Sequence, residues 1–450
     1  MSFNFLNLRR FVLMLVVWAT AQCFGVVFAQ ETGSKKIPKK NGVDNSQCTE
    51  HAPVHLNLKQ VLDRALQCSP DLADYRLNHE LVIADRVIAE QRPNPNLTLG
   101  ADSINPHPSR SPEGTKKIDS SIRIDQLVEL GGKAKYRADA ANAAELSSRQ
   151  FLKYAEKAIL VGVEQIYYEG LSAQQREKDL AEIVEINKDV LNVASIRYKA
   201  GDISQLDLNK IRLDIARANN EYQVAKSDLA RAKSELAKSL AYSKSIQKSD
   251  LANDWPEHQV DLPVVPWEKI NLRSDLQALR SRTSAAESSR NLARSLKIPD
   301  VTVGLQYNHL PVTGSPQNGT INTYMLNLTI PLFIRHQYQG EAMRAEAEYY
   351  KARDSQWRGE KDAHTQLEYQ QTELHANQER LSKVLLEVLP GAEQVANAAE
   401  FAYKKGAIGV LDLIDARRSL RQARTETSQA RADFAKSLSA FKLAIEVEDK

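Results

Sequence analysis

The 450-residue chain is 42% hydrophobic but only 6% aromatic, with 26% charged residues and a formal net charge of +3. Its Lys/Arg and Asp/Glu are interspersed, which argues against nucleic acid as the main partner. The apolar content is spread over Ala, Leu, Ile and Val, with only 18 Gly and 16 Pro, so the composition speaks against one thick globular core and for long helices with narrow apolar seams.

The chain opens with Arg9-Arg10 ahead of an apolar run from Phe11 to Ala21, and Val27-Phe28-Ala29 precedes Gln30 as a small-residue cleavage site. Residues 1–29 are therefore expected to be a signal peptide; an uncleaved anchor is the alternative, and the run is short for one. Gln22 stands before Cys23 where a lipoprotein signal needs a small residue, which disfavours a lipid anchor. Cys48 and Cys68 remain, a candidate disulfide in an oxidising compartment and otherwise two thiols. No later stretch has the length of a membrane-spanning helix, so any membrane crossing falls to strands.

Residues 30–56 are polar, basic and aperiodic, and read as an extended or disordered leader. From 57 the pattern is helical; Ser69-Pro70-Asp71 restarts it with a cap, a first-turn Pro and an acid, and Arg92-Pro93-Asn94-Pro95 stops it. Leu97, Leu99 and Ala101 then alternate with Thr98, Gly100 and Asp102, and Ile118, Ile122 and Ile124 with Asp119, Ser121, Arg123 and Asp125. Period two predicts strands at about 97–105 and 118–128, with one apolar face. After Gly131-Gly132 a helical pattern without Pro runs to Lys199, on the order of 100 Å of helix, and a returning helix brings the hairpin 133–240 to its end.

Residues 241–272, with Trp255-Pro256, Leu262-Pro263 and Pro266-Trp267, read as an irregular connection. The order then recurs over 273–446: a helix, strands at about 299–310 and 321–331, and a hairpin at about 339–446. Pro299-Asp300-Val301-Thr302-Val303-Gly304 matches Pro95-Asn96-Leu97-Thr98-Leu99-Gly100 position by position. Pro390-Gly391 should bend the second long helix or break its hydrogen bonding locally. The hairpin turns also match. Tyr198, Gly201, Leu206, Asp207 and Leu208 correspond to Tyr403, Gly406, Leu411, Asp412 and Leu413, with Gly in the left-handed position that closes each first helix.

Four amphipathic strands cannot close a barrel of about eight or more, and a membrane sheet tolerates no open edge, so chains must pool their strands; three copies supply twelve. The expected fold class is an α+β membrane protein. It is a tandem repeat, each half having two transmembrane β-strands and long coiled-coil helices. Three copies would form a 12-stranded β-barrel continued by an α-helical barrel.

The tandem order, the strand pairs and the two Tyr-x-x-Gly-x-x-x-x-Leu-Asp-Leu turns resemble the TolC-like outer-membrane efflux factors over the whole mature chain. Glu129-Leu130-Gly131-Gly132-Lys133 is similar to the strand-to-helix junction of the heavy-metal (CzcC-like) cation-efflux branch. The resemblance implies a homotrimeric channel in outer-membrane lipid, with its tunnel in the periplasm. A periplasmic adaptor would join it to an inner-membrane pump of the RND type, with divalent metal cations as the expected cargo. Drug or small-molecule efflux, type I protein secretion and a periplasmic coiled-coil adaptor are the competing readings; an adaptor would lack hairpins with one wholly apolar face.

The resemblance also implies residue roles. Asp412 and Asp415, three apart on one helix face, match acids at the family's periplasmic constriction. Read without it, Asp412 answers the helix dipole and Asp415 is a solvated charge. Asp207 and Tyr403 match residues that lock neighbouring helices there, Tyr403 by hydrogen bonding. Ile408 stands where that lock has an Arg, leaving Lys404, Lys405 or another device. Gly201, Gly406, Leu206 and Leu411 match the tips that dock on the adaptor. The nine His are scattered, and no metal site, cofactor site, nucleophile constellation or phosphate loop is recognisable, so no enzymatic activity is expected.

Overall fold

The computed structural model describes residues 48, 52–102, 118–242, 246–258, 270–311 and 320–445. The expected signal peptide, most of the leader and strand residues 103–105 lie outside the described residues. All described helices and strands fall within Thr49–Lys450.

In chain order they are β1 (His55–Leu56), α1 (Leu58–Cys68), α2 (Pro70–Glu90), β2 (Asn96–Asp102), β3 (Asp119–Val128), α3 (Lys133–Lys199) and α4 (Gln205–Ser239). There follow β4 (Asp250–Leu251), α5 (Ser274–Ser295), β5 (Val301–Pro311), β6 (Thr320–Thr329), α6 (Gln339–Lys383), α7 (Leu389–Lys404) and α8 (Val410–Ile445). Between α6 and α7 lies a single π-helical turn, Val384–Val388, closed by the Leu389 N–H donating to the Val384 carbonyl. Pro390 explains it: with no N–H to give and a ring that crowds the preceding turn, it makes the ladder widen on its N-terminal side instead of breaking.

The sheet order is β2-β3-β5-β6, antiparallel throughout. Register aligns Leu97 with Ile124, Ile124 with Leu305, and Leu305 with Leu326. The next aligned row is Leu99, Ile122, Tyr307 and Tyr324. One face is thus apolar across all four strands, and it is bare: Leu99 is 70% exposed and Tyr324 78%. The other face carries Thr98, Arg123, Gln306 and Met325, with Arg123 paired to Asp125 at 2.8 Å. The helices follow the strand order, α2 packing on α3, α3 on α5 and α5 on α6. The end strands β2 and β6 therefore continue into the end helices α2 and α6.

Glu129-Leu130-Gly131-Gly132-Lys133 makes the corner between sheet and helix. Gly131 and Gly132 both have left-handed φ, 70° and 74°. A Cβ on Gly131 would lie 2.9 Å from the Ile298 Cδ1. Arg137 clamps Glu129 through two hydrogen bonds and donates to the Ala89 and Gln91 carbonyls at the end of α2. The buried Lys133 donates to the Ile298 carbonyl and to Asp300.

Three apolar clusters run along the helices. One is centred on Tyr167, Leu171, Leu236 and Leu251; a second on Leu367, Leu374, Phe434 and Phe441. The third lies at the hairpin turns. The first contains a correction. The stretch 30–56 reads as structureless to its end and 241–272 as irregular, yet His55–Leu56 pairs in parallel with Asp250–Leu251. Tyr167 explains it by donating to the Ala252 carbonyl, and Gln174 by satisfying both the N–H and the carbonyl of Leu251.

Candidate functional site at the hairpin turns

Each long helix pair closes with the same hydrogen-bond pattern. The Gly201 N–H donates to the Tyr198 carbonyl and Asp202 N–H to that of Arg197; Gly406 N–H donates to Tyr403 and Ala407 N–H to Ala402. These are Schellman closures, and they require the left-handed residue found there: φ is 79° at Gly201 and 78° at Gly406. Ser204 then caps α4, its Oγ accepting from Asp207 N–H and donating to Asp207 Oδ2 at 2.7 Å.

The two turns meet. Ala194, Leu208, Ile211, Tyr403, Val410, Leu413 and Ile414 form one buried cluster, with Ile203 and Ile408 packed against it. Ile408 is thus an apolar filler between the hairpins, which accounts for an aliphatic side chain there. Leu206 and Leu411 point away and are 63% and 52% exposed.

The candidate gate acids are all at the surface. Asp415 is exposed and lies 4.0 Å from Arg418; Asp412, also exposed, has no ion pair among the described residues. Asp207 pairs with Lys210 at 3.6 Å, and the Ser204 hydroxyl, followed by Lys210, holds its carboxyl below the usual range. Tyr403, by contrast, is buried, and its Oη has no hydrogen-bond partner among the described residues. The structure therefore does not join Tyr403 to Asp207. Lys404 pairs with Glu400 on its own helix at 2.9 Å, and Lys405 lies over the Phe401 ring; neither reaches the other hairpin.

Behind the turns the helices are cross-linked by charges that sequence reasoning missed. Buried Asp214 on α4 accepts from Arg418 at 3.0 Å, and Arg421 pairs with Glu221 at 3.0 Å. Arg417 donates to the buried Asn187 of α3 and pairs with Glu400. Lys404, followed by Arg417, lowers the Glu400 carboxyl below its usual range. At the tip itself Arg197 reaches across, Nη1 donating to the Tyr403 carbonyl at 3.2 Å with the guanidinium 5.0 Å from the ring centroid. A lone Arg beside a repeated Tyr carries no periodic signal that would have singled it out.

The arrangement sets exposed carboxylates beside two packed helix turns that are braced by cross-helix ion pairs. Among the described residues no group of three His, Cys, Asp or Glu could hold a metal ion, and no helix is long and apolar enough to cross a membrane.

Comparison with known proteins gives a consistent result. Residues 61–241 and 267–445 match the outer membrane efflux protein family. The chain is 28% identical to the cobalt-zinc-cadmium resistance protein CzcC of Cupriavidus metallidurans, over 71% of this chain and 76% of that protein. It is 24% identical to the pyoverdine export outer membrane protein OpmQ of Pseudomonas putida, over 84% of each. Among solved structures, CusC, described in connection with transmembrane channel formation, superposes with a TM-score of 0.72 at 17% identity, covering 86% of this chain and 91% of that one.

Proposed function

The chain belongs to the outer membrane efflux protein family, and from that premise we propose that three copies build one duct that releases divalent metal cations across the outer membrane. As a member it is an outer-membrane efflux channel component, with its helical tunnel in the periplasm, and its family is one of transport components rather than enzymes. The observation that carries the trimer is the open sheet. Among the described residues β2 and β6 are unpaired edges, and the face between them is apolar and bare. Lipid covers such a face, and only pairing with further copies removes the edges. Twelve strands from three copies then close the barrel.

The helix edges support the same assembly. On α6, Met343, Tyr350 and Trp357 repeat at seven-residue spacing and are 74%, 49% and 58% exposed; on α2, Leu77, Leu81 and Ile88 form an exposed stripe. Spacing of this kind is the seam of a coiled coil. The edge helices would meet between copies where the edge strands do.

In this reading the two halves are structural repeats. Asp412 and Asp415 ring the periplasmic constriction as six carboxylates, which favour cations. Leu206 and Leu411, on turns shaped by Gly201 and Gly406, dock on a periplasmic adaptor that joins the duct to an inner-membrane pump of the RND type. Cys48 and Cys68 are each disulfide-bonded, in keeping with an oxidising compartment. The metal assignment rests on the similarity to CzcC; similarity to a pyoverdine exporter makes small organic molecules the second reading. Deleting the gene and surveying sensitivity to cobalt, zinc, cadmium, nickel, copper and common antibiotics tests the assignment. Selective loss of metal tolerance is the expected result. Drug sensitivity with unchanged metal tolerance would reverse it.

A further inference from the structure

We propose that Arg197 is the positioning residue that ties the two hairpin turns of a subunit together, and so sets how readily the periplasmic end opens; this rests on the reading of the chain as a gated duct. Arg197 occupies a particular place. It sits in the last turn of α3, where its own carbonyl receives the Asp202 N–H of the Schellman closure. Its side chain then crosses to the other hairpin and donates to the Tyr403 carbonyl, which also accepts the Gly406 N–H of the second closure. One guanidinium thus couples the two helix ends. Among the described residues, no other hydrogen bond joins residues 197–204 to residues 402–409.

The surroundings fit that task. The guanidinium lies within cation–π reach of the buried Tyr403 ring. A Cβ at Gly406 would stand 3.3 Å from Arg197 Nη2, so the glycine both takes the left-handed turn and leaves room for the arginine. Ile408 contributes only apolar packing to the cluster, and Lys404 and Lys405 are engaged on their own helix. The tie is made to the backbone of Tyr403 and not to its hydroxyl, which has no partner among the described residues.

The full chain, with spin labels on Leu206→Cys and Leu411→Cys, gives the turn-to-turn distance; planar bilayers give the conductance. Arg197→Ala should lengthen and broaden the distance distribution and raise the open fraction on the order of tenfold, the effect of one lost hydrogen bond from a charged donor. Arg197→Lys should fall between, since an ammonium can reach the carbonyl but lacks the planar fork. Tyr403→Phe, which keeps both the carbonyl and the ring that Arg197 meets, should open the channel less than Arg197→Ala. Unchanged distance and conductance in Arg197→Ala, or a Tyr403→Phe channel as open as Arg197→Ala, would overturn the assignment. If the parent never conducts while Arg197→Ala still separates the labels, the duct reading fails and the tie stands. Should Arg197→Ala not assemble, Arg197→Lys and Arg197→Gln carry the same comparison.

Discussion

Lys133 and Asp300 meet at 2.7 Å although 167 residues separate them. The lysine opens the long helix of the first half, and the aspartate stands just before the first strand of the second. Because Asp300 also accepts the Leu130 N–H, this contact fixes the angle at which sheet passes into helix. Lys133 is almost wholly buried, so its ammonium depends on Asp300 and the Ile298 carbonyl. Lys133→Met should therefore cost roughly 3 kcal/mol, the range for removing one partner of a buried charged pair, read as a lowered midpoint of urea unfolding in detergent. An unchanged midpoint would place the corner's stability elsewhere.

The four left-handed glycines among the described residues should not be equivalent. Gly201 has open space where a Cβ would go, whereas Gly131 faces Ile298. Gly201→Ala should cost about 1 kcal/mol for the backbone alone. Gly131→Ala should cost distinctly more, because Ile298 must also shift. Thermal unfolding of the two variants checks the ranking.

The bare sheet face makes a side-dependent prediction. Leu99→Arg places a charge on the apolar face, at about 2–4 kcal/mol in mid-membrane, while Thr98→Arg places it on the polar face. The yield of assembled channel in outer-membrane fractions should collapse for the first and hold for the second. Equal yields would mean that lipid does not cover this face.

Acid should loosen the turns before the rest of the molecule. Asp207 and Glu400 both have carboxyls lowered in the folded state, the first by Ser204 and then Lys210, the second by Lys404 and then Arg417. A lowered folded value means that the stabilisation is complete above the ordinary values, 3.8 for Asp207 and 4.5 for Glu400, and is lost as pH falls through the lowered ones. Hydrogen exchange at residues 197–210 and 400–413 should therefore accelerate below that window. Ser204→Ala should move the onset at residues 204–208 to higher pH.

Much of this was legible because period and punctuation are repeated signals. Leu97 and Leu99, and Ile122 and Ile124, alternate long enough to declare a two-faced sheet. The paired Tyr-x-x-Gly turns announce where helices reverse. Single contacts leave no such trace. The two-residue strands β1 and β4 are too short for a period and exist because Tyr167 and Gln174 hold their backbones. Arg197 and Asp214 act across more than 200 residues of chain, which no local pattern encodes. Pro390 was readable as a disturbance, but its form, a π turn over Val384–Val388, depends on how the packed helix takes up the strain.

The most direct test of the pooled-strand account is the behaviour of the purified mature chain. The account predicts an oligomer of three that enters planar lipid bilayers and conducts ions in discrete steps. A water-soluble single chain that leaves the bilayer silent would contradict it.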